Sequence, residues 1–267
     1  RRKGLRPVVL VAAIWLFGIV ALAGPAWEKE STPFTEDQSA LFIVHEVTPG
    51  MLAEDIQPSR LQRAVQKISD QLALRPGAKT GLIAYAGSAH LVMPLTADPD
   101  IIRYFAAELR PDVMPQAGDD PLAAVALARL RLQASGLPGS VVLVTDGVDA
   151  AFTAALGDER DRGGADVHVL AVAAGPEVVP PVDSPPAPAL DRESLERAAR
   201  AGGGRLVVVT PDDSDVRSLS SNIERSIAAA PVLEGERWKD AGYYLLLLFA
   251  ALVLLLFRPG GAVALQS

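Results

Sequence analysis

Two long apolar segments, one near each end of the chain, limit what the residues between them can fold into. The first, Leu5 to Gly24, is 20 residues long, and its only charged side chain, Arg6, lies at its edge. A helix rising about 1.5 Å per residue crosses the roughly 30 Å hydrocarbon core of a bilayer with this length. The second is the run YYLLLLFAALVLLLF, preceded by Trp238 and followed by Arg258. We therefore predict transmembrane helices at 5–24 and 241–258, with a cleaved signal peptide as the alternative for the first.

The charges beside these segments predict the orientation of the chain. Four of the first six residues are basic and Arg258 follows the second segment, whereas the opposite flanks are mixed or acidic. Because positively charged flanks stay in the cytoplasm, both ends are predicted there. In a bacterium this describes a two-pass protein of the inner membrane, in contact with membrane lipid, whose central domain is periplasmic. The chain begins at Arg1 without a methionine, so we interpret it as a fragment or processed form of a longer protein.

Composition excludes several classes of function. The chain has 267 residues, a formal net charge of -7 and no cysteine, and its pI is about 5.1. Nucleic-acid binders normally present a basic face, so we expect no nucleic-acid partner. The absence of cysteine rules out disulfides and thiolate metal sites.

The region 36–230 alternates strand and helix signals, which predicts an α/β domain with a mostly parallel central sheet and helices on both faces. Ser59 and Gln62 form a capping box that begins a helix. Asp98-Pro99 and Asp120-Pro121 each resemble a helix start, and a further capped helix is predicted from Asp191 to Ala201. The predicted strands are ALFIV, GLIAYAG and HLVMPL (a hairpin), SVVLVT, DVHVLAV and RLVVV.

A proline-rich segment, Pro176 to Pro188, interrupts this alternation with the sequence PEVVPPVDSPPAP. Such a composition favours an extended surface loop over helix or sheet. We interpret it as a stiff connector, and a docking strip for a partner is the alternative.

Three acidic residues are predicted to follow strands or precede helices at one edge of the sheet: Glu46, Asp119 and Asp146. Carboxylates from three loops would suit Mg²⁺ or Ca²⁺. Equally, Asp146-Gly147 is a common turn sequence and Glu46 would serve as a solvated carboxylate. The adjacent His45 points to the opposite face of its strand from Glu46, which favours a packing role over catalysis.

The motifs together resemble a known family. VLVTDGVDA, EVTPGMLAEDIQPSRLQRA, GLIAYAGSAHLVMPLTAD and MPQAGDDP are similar to the von Willebrand factor A domain. More narrowly, they resemble the membrane-anchored bacterial proteins of the Bat aerotolerance group (BatB-like), and the likeness extends over both apolar flanks. The resemblance implies a Rossmann-like domain between two transmembrane helices.

The resemblance also implies a metal-ion-dependent adhesion site in degenerate form. The family's Asp-x-Ser-x-Ser loop corresponds to Glu46, Thr48 and Gly50, its middle threonine to Asp119, and its last aspartate to Asp146. Only Asp146 is identical, and Gly50 has no side chain to offer. We therefore expect Glu46, Thr48, Asp119 and Asp146 to bind Mg²⁺ or Ca²⁺ weakly or not at all.

The function that the resemblance implies is protein interaction without catalysis. Its partners would be a sibling von Willebrand A membrane protein and a MoxR-type AAA+ ATPase system. The expected contact surface, called the rim below, comprises Thr48–Met51, Gly118–Asp120 and Gly147–Asp149. Within it the named contact residues are Thr48, Pro49, Gly50, Met51, Asp119, Asp120, Gly147 and Asp149. Two alternatives stay open: a metal-dependent phosphodiesterase using Glu46, Asp146 and Asp149, and a scaffold that binds through helix faces only.

Overall fold

The structure, a computed structural model, describes residues 39–229 together with Trp15, Gly18, Ile19, Glu28–Lys29 and Trp238–Lys239. Glu28–Lys29 and Trp238–Lys239 pair as a short antiparallel ribbon. Nearly all of the predicted transmembrane segments, 5–24 and 241–258, lies outside the described residues. No helix in the described part of the chain has the length and apolar character needed to cross a bilayer.

A six-stranded sheet forms the centre of the domain. Its strands run in the order β3-β2-β1-β4-β5-β6, and every neighbouring pair is parallel except the β2–β3 hairpin. The prediction of a mostly parallel sheet is confirmed. The strands are β1 (Ala40–Glu46), β2 (Lys79–Tyr85), β3 (Ala89–Thr96), β4 (Gly139–Thr145), β5 (Val167–Ala171) and β6 (Gly203–Val208).

Six helices flank the sheet. Most begin where a polar side chain accepts a hydrogen bond from the first turn, because the first backbone N–H groups of a helix have no partner within it. Ser59, Asp98, Asp120 and Asp191 all do so, which confirms the four predicted helix starts. The helices are α1 (Arg60–Ala73), α2 (Pro99–Glu108), α3 (Pro121–Ser135), α4 (Ala150–Asp161), α5 (Arg192–Ala201) and α6 (Ser214–Ala229).

The helices form one layer on each face of the sheet. Apolar residues of α1, α2 and α6 pack with one set of strand side chains, and those of α3, α4 and α5 pack with the other. The central strand β1 is buried along its whole length. Full burial of each large apolar side chain contributes about 1.5–3 kcal/mol. This three-layer core fixes the ends of β1 and β4 side by side, at the edge where the rim begins.

The proline-rich segment contains neither helix nor strand. Hydrogen-bonded turns close at Gly175–Val178 and Pro181–Ser184. Val179, between the two turns, is 89% exposed, and Val182, within the second turn, is 102% exposed. The predicted surface loop is therefore present, and it projects two apolar side chains into solvent.

Candidate functional site

Glu46 lies at the centre of the candidate site, as the last residue of β1. Its side chain is buried, with the whole residue 2% exposed. Oε1 accepts a hydrogen bond from the Thr48 hydroxyl at 2.6 Å. Oε2 accepts from the Asp146 backbone N–H at 3.0 Å and lies 2.7 Å from Thr145 Oγ1. The interpretation of Glu46 as a solvated carboxylate is therefore wrong, because both oxygens are enclosed by the protein.

Burial makes the charged form of Glu46 unfavourable and raises the pKa of its carboxyl group, while the hydrogen bond from Thr48 opposes this. Thr145 Oγ1 also lies 2.6 Å from the Gly147 carbonyl. The Thr145 hydroxyl has only one proton, so it can donate to either Glu46 Oε2 or the Gly147 carbonyl, but not to both. A protonated Glu46 would supply the second proton, in agreement with the direction of its pKa.

The loop after β1 forms a single 3-10 turn from Pro49 to Leu52. Met51 is 0% exposed and packs in the core, where its side chain anchors the loop. The prediction that Met51 contacts a partner is therefore wrong. Thr48 is also buried, and its hydroxyl donates a hydrogen bond to Glu46. Pro49 is exposed and Gly50 is partly exposed, so these two residues form the surface of the loop.

Asp146, directly after β4, pairs with an arginine that the sequence analysis did not assign to the site. Arg60 Nη1 lies 2.9 Å from Asp146 Oδ2. Burial and the charge of Glu46 raise the pKa of Asp146, and Arg60 opposes the shift. A Cβ at Gly50 would lie 3.1 Å from the same Oδ2 atom. The absence of a side chain at Gly50 therefore leaves room for this ion pair.

Two glycines bring Asp119 to the site. A Cβ at Gly87 would lie 2.2 Å from the Ala117 carbonyl oxygen, and Gly118 has a φ of +136°. Two backbone hydrogen bonds flank this contact, from the Gly87 N–H to Gln116 O at 3.0 Å and from the Asp120 N–H to Ala86 O at 2.7 Å. This packing holds the loop before α3 against the β2–β3 turn.

Asp119 is an exposed carboxylate in an acidic environment. Partial burial and the charges of Asp146, Asp149 and Asp120 raise its pKa to about 6. The charge of Asp119 in turn acts to raise the pKa of Glu46. The fold therefore places Glu46, Asp119 and Asp146 within electrostatic range of one another, as the predicted common edge requires.

Asp120 and Asp149 have structural roles as helix caps. Asp120 Oδ1 accepts from the Ala123 N–H at 3.0 Å, and Asp149 Oδ1 accepts from the Phe152 N–H at 2.6 Å. Their carboxylates are thereby directed at the N-termini of α3 and α4, where negative charge is favourable. Gly147 and Val148, which directly precede Asp149, are partly exposed and complete the rim.

The donors do not fit a divalent metal ion. Mg²⁺ requires oxygen ligands in near-octahedral geometry at about 2.0–2.1 Å. Both Glu46 oxygens accept hydrogen bonds from within the protein, one of them from the Thr48 hydroxyl. Asp146 Oδ2 is paired with Arg60. Among the residues that the structure describes, no three acidic or histidine side chains are arranged to surround a metal ion.

The same contacts bear on the phosphodiesterase alternative. It requires free carboxylates on Glu46, Asp146 and Asp149 to hold metal ions. Glu46 is hydrogen-bonded within the core, Asp146 is paired with Arg60, and Asp149 caps α4. This geometry favours a binding surface over a two-metal catalytic centre.

Comparison with known proteins finds one family model and several relatives that are similar to this chain. A model of the von Willebrand factor type A domain matches residues 41–148, from β1 to the rim after β4. A UPF0353 protein of Mycobacterium bovis (strain BCG / Pasteur 1173P2) is 26% identical over 281 residues, covering 97% of this chain and 80% of that protein.

Two solved structures share the fold. An aerotolerance-related membrane protein from Bacteroides fragilis NCTC 9343, solved with multiple mutations to serine, is 25% identical with a TM-score of 0.58. BatB from Bacteroides thetaiotaomicron is 23% identical with a TM-score of 0.61. Each comparison covers 72% of this chain and 100% of the other. Residues 41–148 are therefore similar in sequence to the von Willebrand factor type A domain, and the domain shares its fold with these two solved structures.

Proposed function

We propose that the protein is a non-enzymatic interaction module, held at the bacterial inner membrane, that binds a partner protein through the rim. The observation that carries this proposal is the construction of the rim itself. Three separate loops form its surface, where Pro49 and Asp119 are exposed and Gly147 is partly exposed. Beneath them, the buried Glu46 and Met51 fix the loops from inside the domain.

A rigid rim of this kind is suited to recognition because little conformational freedom is lost when a partner binds. The carboxylates that a hydrolytic mechanism would need are engaged in hydrogen bonds, an ion pair and a helix cap. These contacts support binding without catalysis.

The proposed partner is a sibling membrane protein with its own von Willebrand A domain. A MoxR-type AAA+ ATPase is proposed to act on the same complex from the cytoplasm. Similarity to proteins named as aerotolerance-related and membrane-bound supports a membrane setting. The two apolar segments of the sequence, 5–24 and 241–258, support anchoring on both sides of the domain.

A second candidate surface is favoured by one observation on α2. Ile101, Tyr104 and Phe105 are 39%, 65% and 39% exposed on this helix, and the two aromatic rings contact each other edge to face at 5.5 Å. Exposed apolar side chains that cluster on one helix face are a common feature of binding surfaces. A scaffold that binds through helix faces would use this side of the domain.

Site-specific photocrosslinking in native membranes separates the two surfaces. A photoreactive residue replaces Pro49 or Asp119 on the rim, and Tyr104 on α2 or Leu130 on α3 serves as the matched exposed position. We expect a second von Willebrand A membrane protein, identified by mass spectrometry, to be captured from the rim positions only. Capture from Tyr104 with none from Pro49 and Asp119 would instead support the helix-face scaffold.

A further inference from the structure

Arg60 is a buried cation at the base of the rim. The residue is 1% exposed. Its Nε and Nη2 atoms lie 2.8 and 2.6 Å from the two carboxylate oxygens of Asp55, and Nη1 lies 2.9 Å from Asp146 Oδ2. One guanidinium group therefore pairs with two carboxylates, one of them in the bidentate geometry that gives arginine its strongest contacts.

The Arg60 contacts supply what a metal ion would otherwise supply at this place. A divalent ion neutralises carboxylates and fixes the loops that carry them. Here Asp146 Oδ2 already has its positive partner, and Glu46 has hydrogen-bond donors from Thr48 and from the Asp146 backbone. A fixed arginine keeps its charge at every physiological pH and cannot dissociate from the protein.

The same group connects the rim to the proline-rich segment. Arg60 Nη2 donates to the Pro188 carbonyl at 2.7 Å. Asp55 Oδ2 accepts from the Ala174 N–H at 3.3 Å, and the neighbouring Glu54 N–H donates to Ser184 Oγ at 3.0 Å. The segment is thus bonded at Ser184 and at its last residue, Pro188, and the chain just before it is bonded at Ala174, in each case to residues at or just before the start of α1.

We propose that Arg60 is the resident cation of the rim, which replaces a divalent metal ion at Asp146 and fixes the proline-rich segment beside the rim through Asp55 and Pro188. The rim then keeps its geometry without divalent ions. The proposal concerns the same surface as the proposed function, but its test does not require a partner. Failure of the metal measurements and failure of partner capture are therefore separate results.

The first experiment measures Mn²⁺ binding to the purified full-length protein by electron paramagnetic resonance, in the wild type, Arg60→Met and Arg63→Met. Arg63 is the matched control, because it lies on the same helix and, among the described residues, donates to the Gln57 carbonyl and to no carboxylate. We expect no saturable binding to the wild type or to Arg63→Met at about 1 mM Mn²⁺, the weak end of protein sites for such ions. Arg60→Met leaves Asp55 and Asp146 without their cation, so it is expected to gain Mn²⁺ binding and an unfolding midpoint that rises with Mg²⁺.

The second experiment follows amide hydrogen exchange at Glu54 and Ala174, which donate to Ser184 and Asp55. Arg60→Met is expected to accelerate exchange at both amides about five- to tenfold, as the loss of roughly one hydrogen bond implies. Arg60→Lys retains the positive charge but loses the planar guanidinium group that contacts both Asp55 oxygens. It should therefore still bind no Mn²⁺ while exchange at Ala174 accelerates.

Saturable Mn²⁺ binding to the wild type that Asp119→Asn abolishes would overturn the proposal, whether or not Arg60→Met folds. An Arg60→Met protein with unchanged exchange at Ala174 and no response to Mg²⁺ would also overturn it. If Arg60→Met does not fold, the wild-type titration and Arg60→Lys decide the question.

Discussion

At the scale of single residues, the two buried histidines differ in how their ring nitrogens are used. His168 Nδ1 accepts a hydrogen bond from the Arg205 N–H at 3.2 Å, and Nε2 lies 3.1 Å from Ser226 Oγ. His45 is fully buried, and neither of its nitrogens has a hydrogen-bond partner within the described residues. Burial lowers the pKa of each histidine to about 4. Both are therefore neutral in the folded protein under physiological conditions.

His45→Leu is expected to reduce the loss of stability in acid. The unfolded state of His45 takes up a proton near pH 6.5 and the folded state only near pH 4. The unfolded state therefore binds more protons in this window, and wild-type stability falls as the pH decreases from 6.5 to 4, by up to about 1.4 kcal/mol per pH unit for this group. Urea unfolding of wild type and His45→Leu across this range measures the difference.

His90→Asn is the matched control, because His90 is an exposed histidine on β3. A slope of stability against pH that is the same in His45→Leu, His90→Asn and the wild type would contradict this account of His45. Some slope is expected to persist in His45→Leu, since His168 is unchanged.

The residues of the site were only partly predictable. Glu46, Asp119 and Asp146 could be assigned to one edge, because parallel strands deliver their carboxyl ends together. Arg60 was missed because a long charged side chain is normally placed on the surface. A signal was nevertheless present, since Arg60 and Lys67 are seven residues apart and directly precede Leu61 and Ile68, two apolar residues that α1 buries.

At the scale of elements, two α-helices in the described part of the chain, α4 and α6, were not predicted from the sequence. α4 buries only Phe152 and Leu156, so its apolar pattern is weak. α6 buries Asp215, Ser220 and Asn222 together with its apolar residues, which obscures the helical period. The helices that were predicted have strong caps or a clear apolar face, as at Ser59 of α1. α4 and α6 depend instead on tertiary packing, which cannot be recognised from the local sequence pattern.

A buried ion pair joins α1 to α6. Lys67 Nζ lies 2.9 Å from Asp215 Oδ1, and the two side chains are 2% and 0% exposed. Asp215 Oδ2 also accepts from the Thr210 N–H at 2.8 Å, and Lys67 donates to the Asp212 carbonyl. Every charge at this contact is therefore paired inside the protein.

Lys67→Met is expected to destabilise the domain by about 3–5 kcal/mol, because Asp215 would be left buried without its cation. Chemical denaturation of the full-length protein measures the change. Arg200→Met, which removes the exposed partner of Glu196 on α5, is the control, with an expected cost below about 1 kcal/mol. A Lys67→Met protein that loses no more stability than this control would show that the buried pair contributes little.

At the scale of the whole molecule, the charges that flank the apolar segments predict which side of the membrane the domain occupies. The exposed Val182 of the proline-rich segment offers a cleavage site for an elastase-type protease, because it is 102% exposed in a turn.

Protease added to intact spheroplasts is expected to cleave the chain at this segment and release fragments of the domain. Val182→Asp is the matched control, because it removes the small aliphatic side chain without touching the rim. Protection in intact spheroplasts together with cleavage in inverted vesicles would assign the domain to the cytoplasm. The periplasmic location, and with it the proposed partner, would then be wrong.

The two buried ion pairs of α1 lie on one helix, Arg60 in its first turn and Lys67 about 10 Å further along its axis. Lys67 holds the first turn of α6, and Arg60 holds Asp146 beneath the rim. Because one helix carries both cations, a displacement of the loop that holds Asp146 would be transmitted along about two turns of α1 to the start of α6. The rim and α6 are therefore expected to move together, although they are far apart in the sequence.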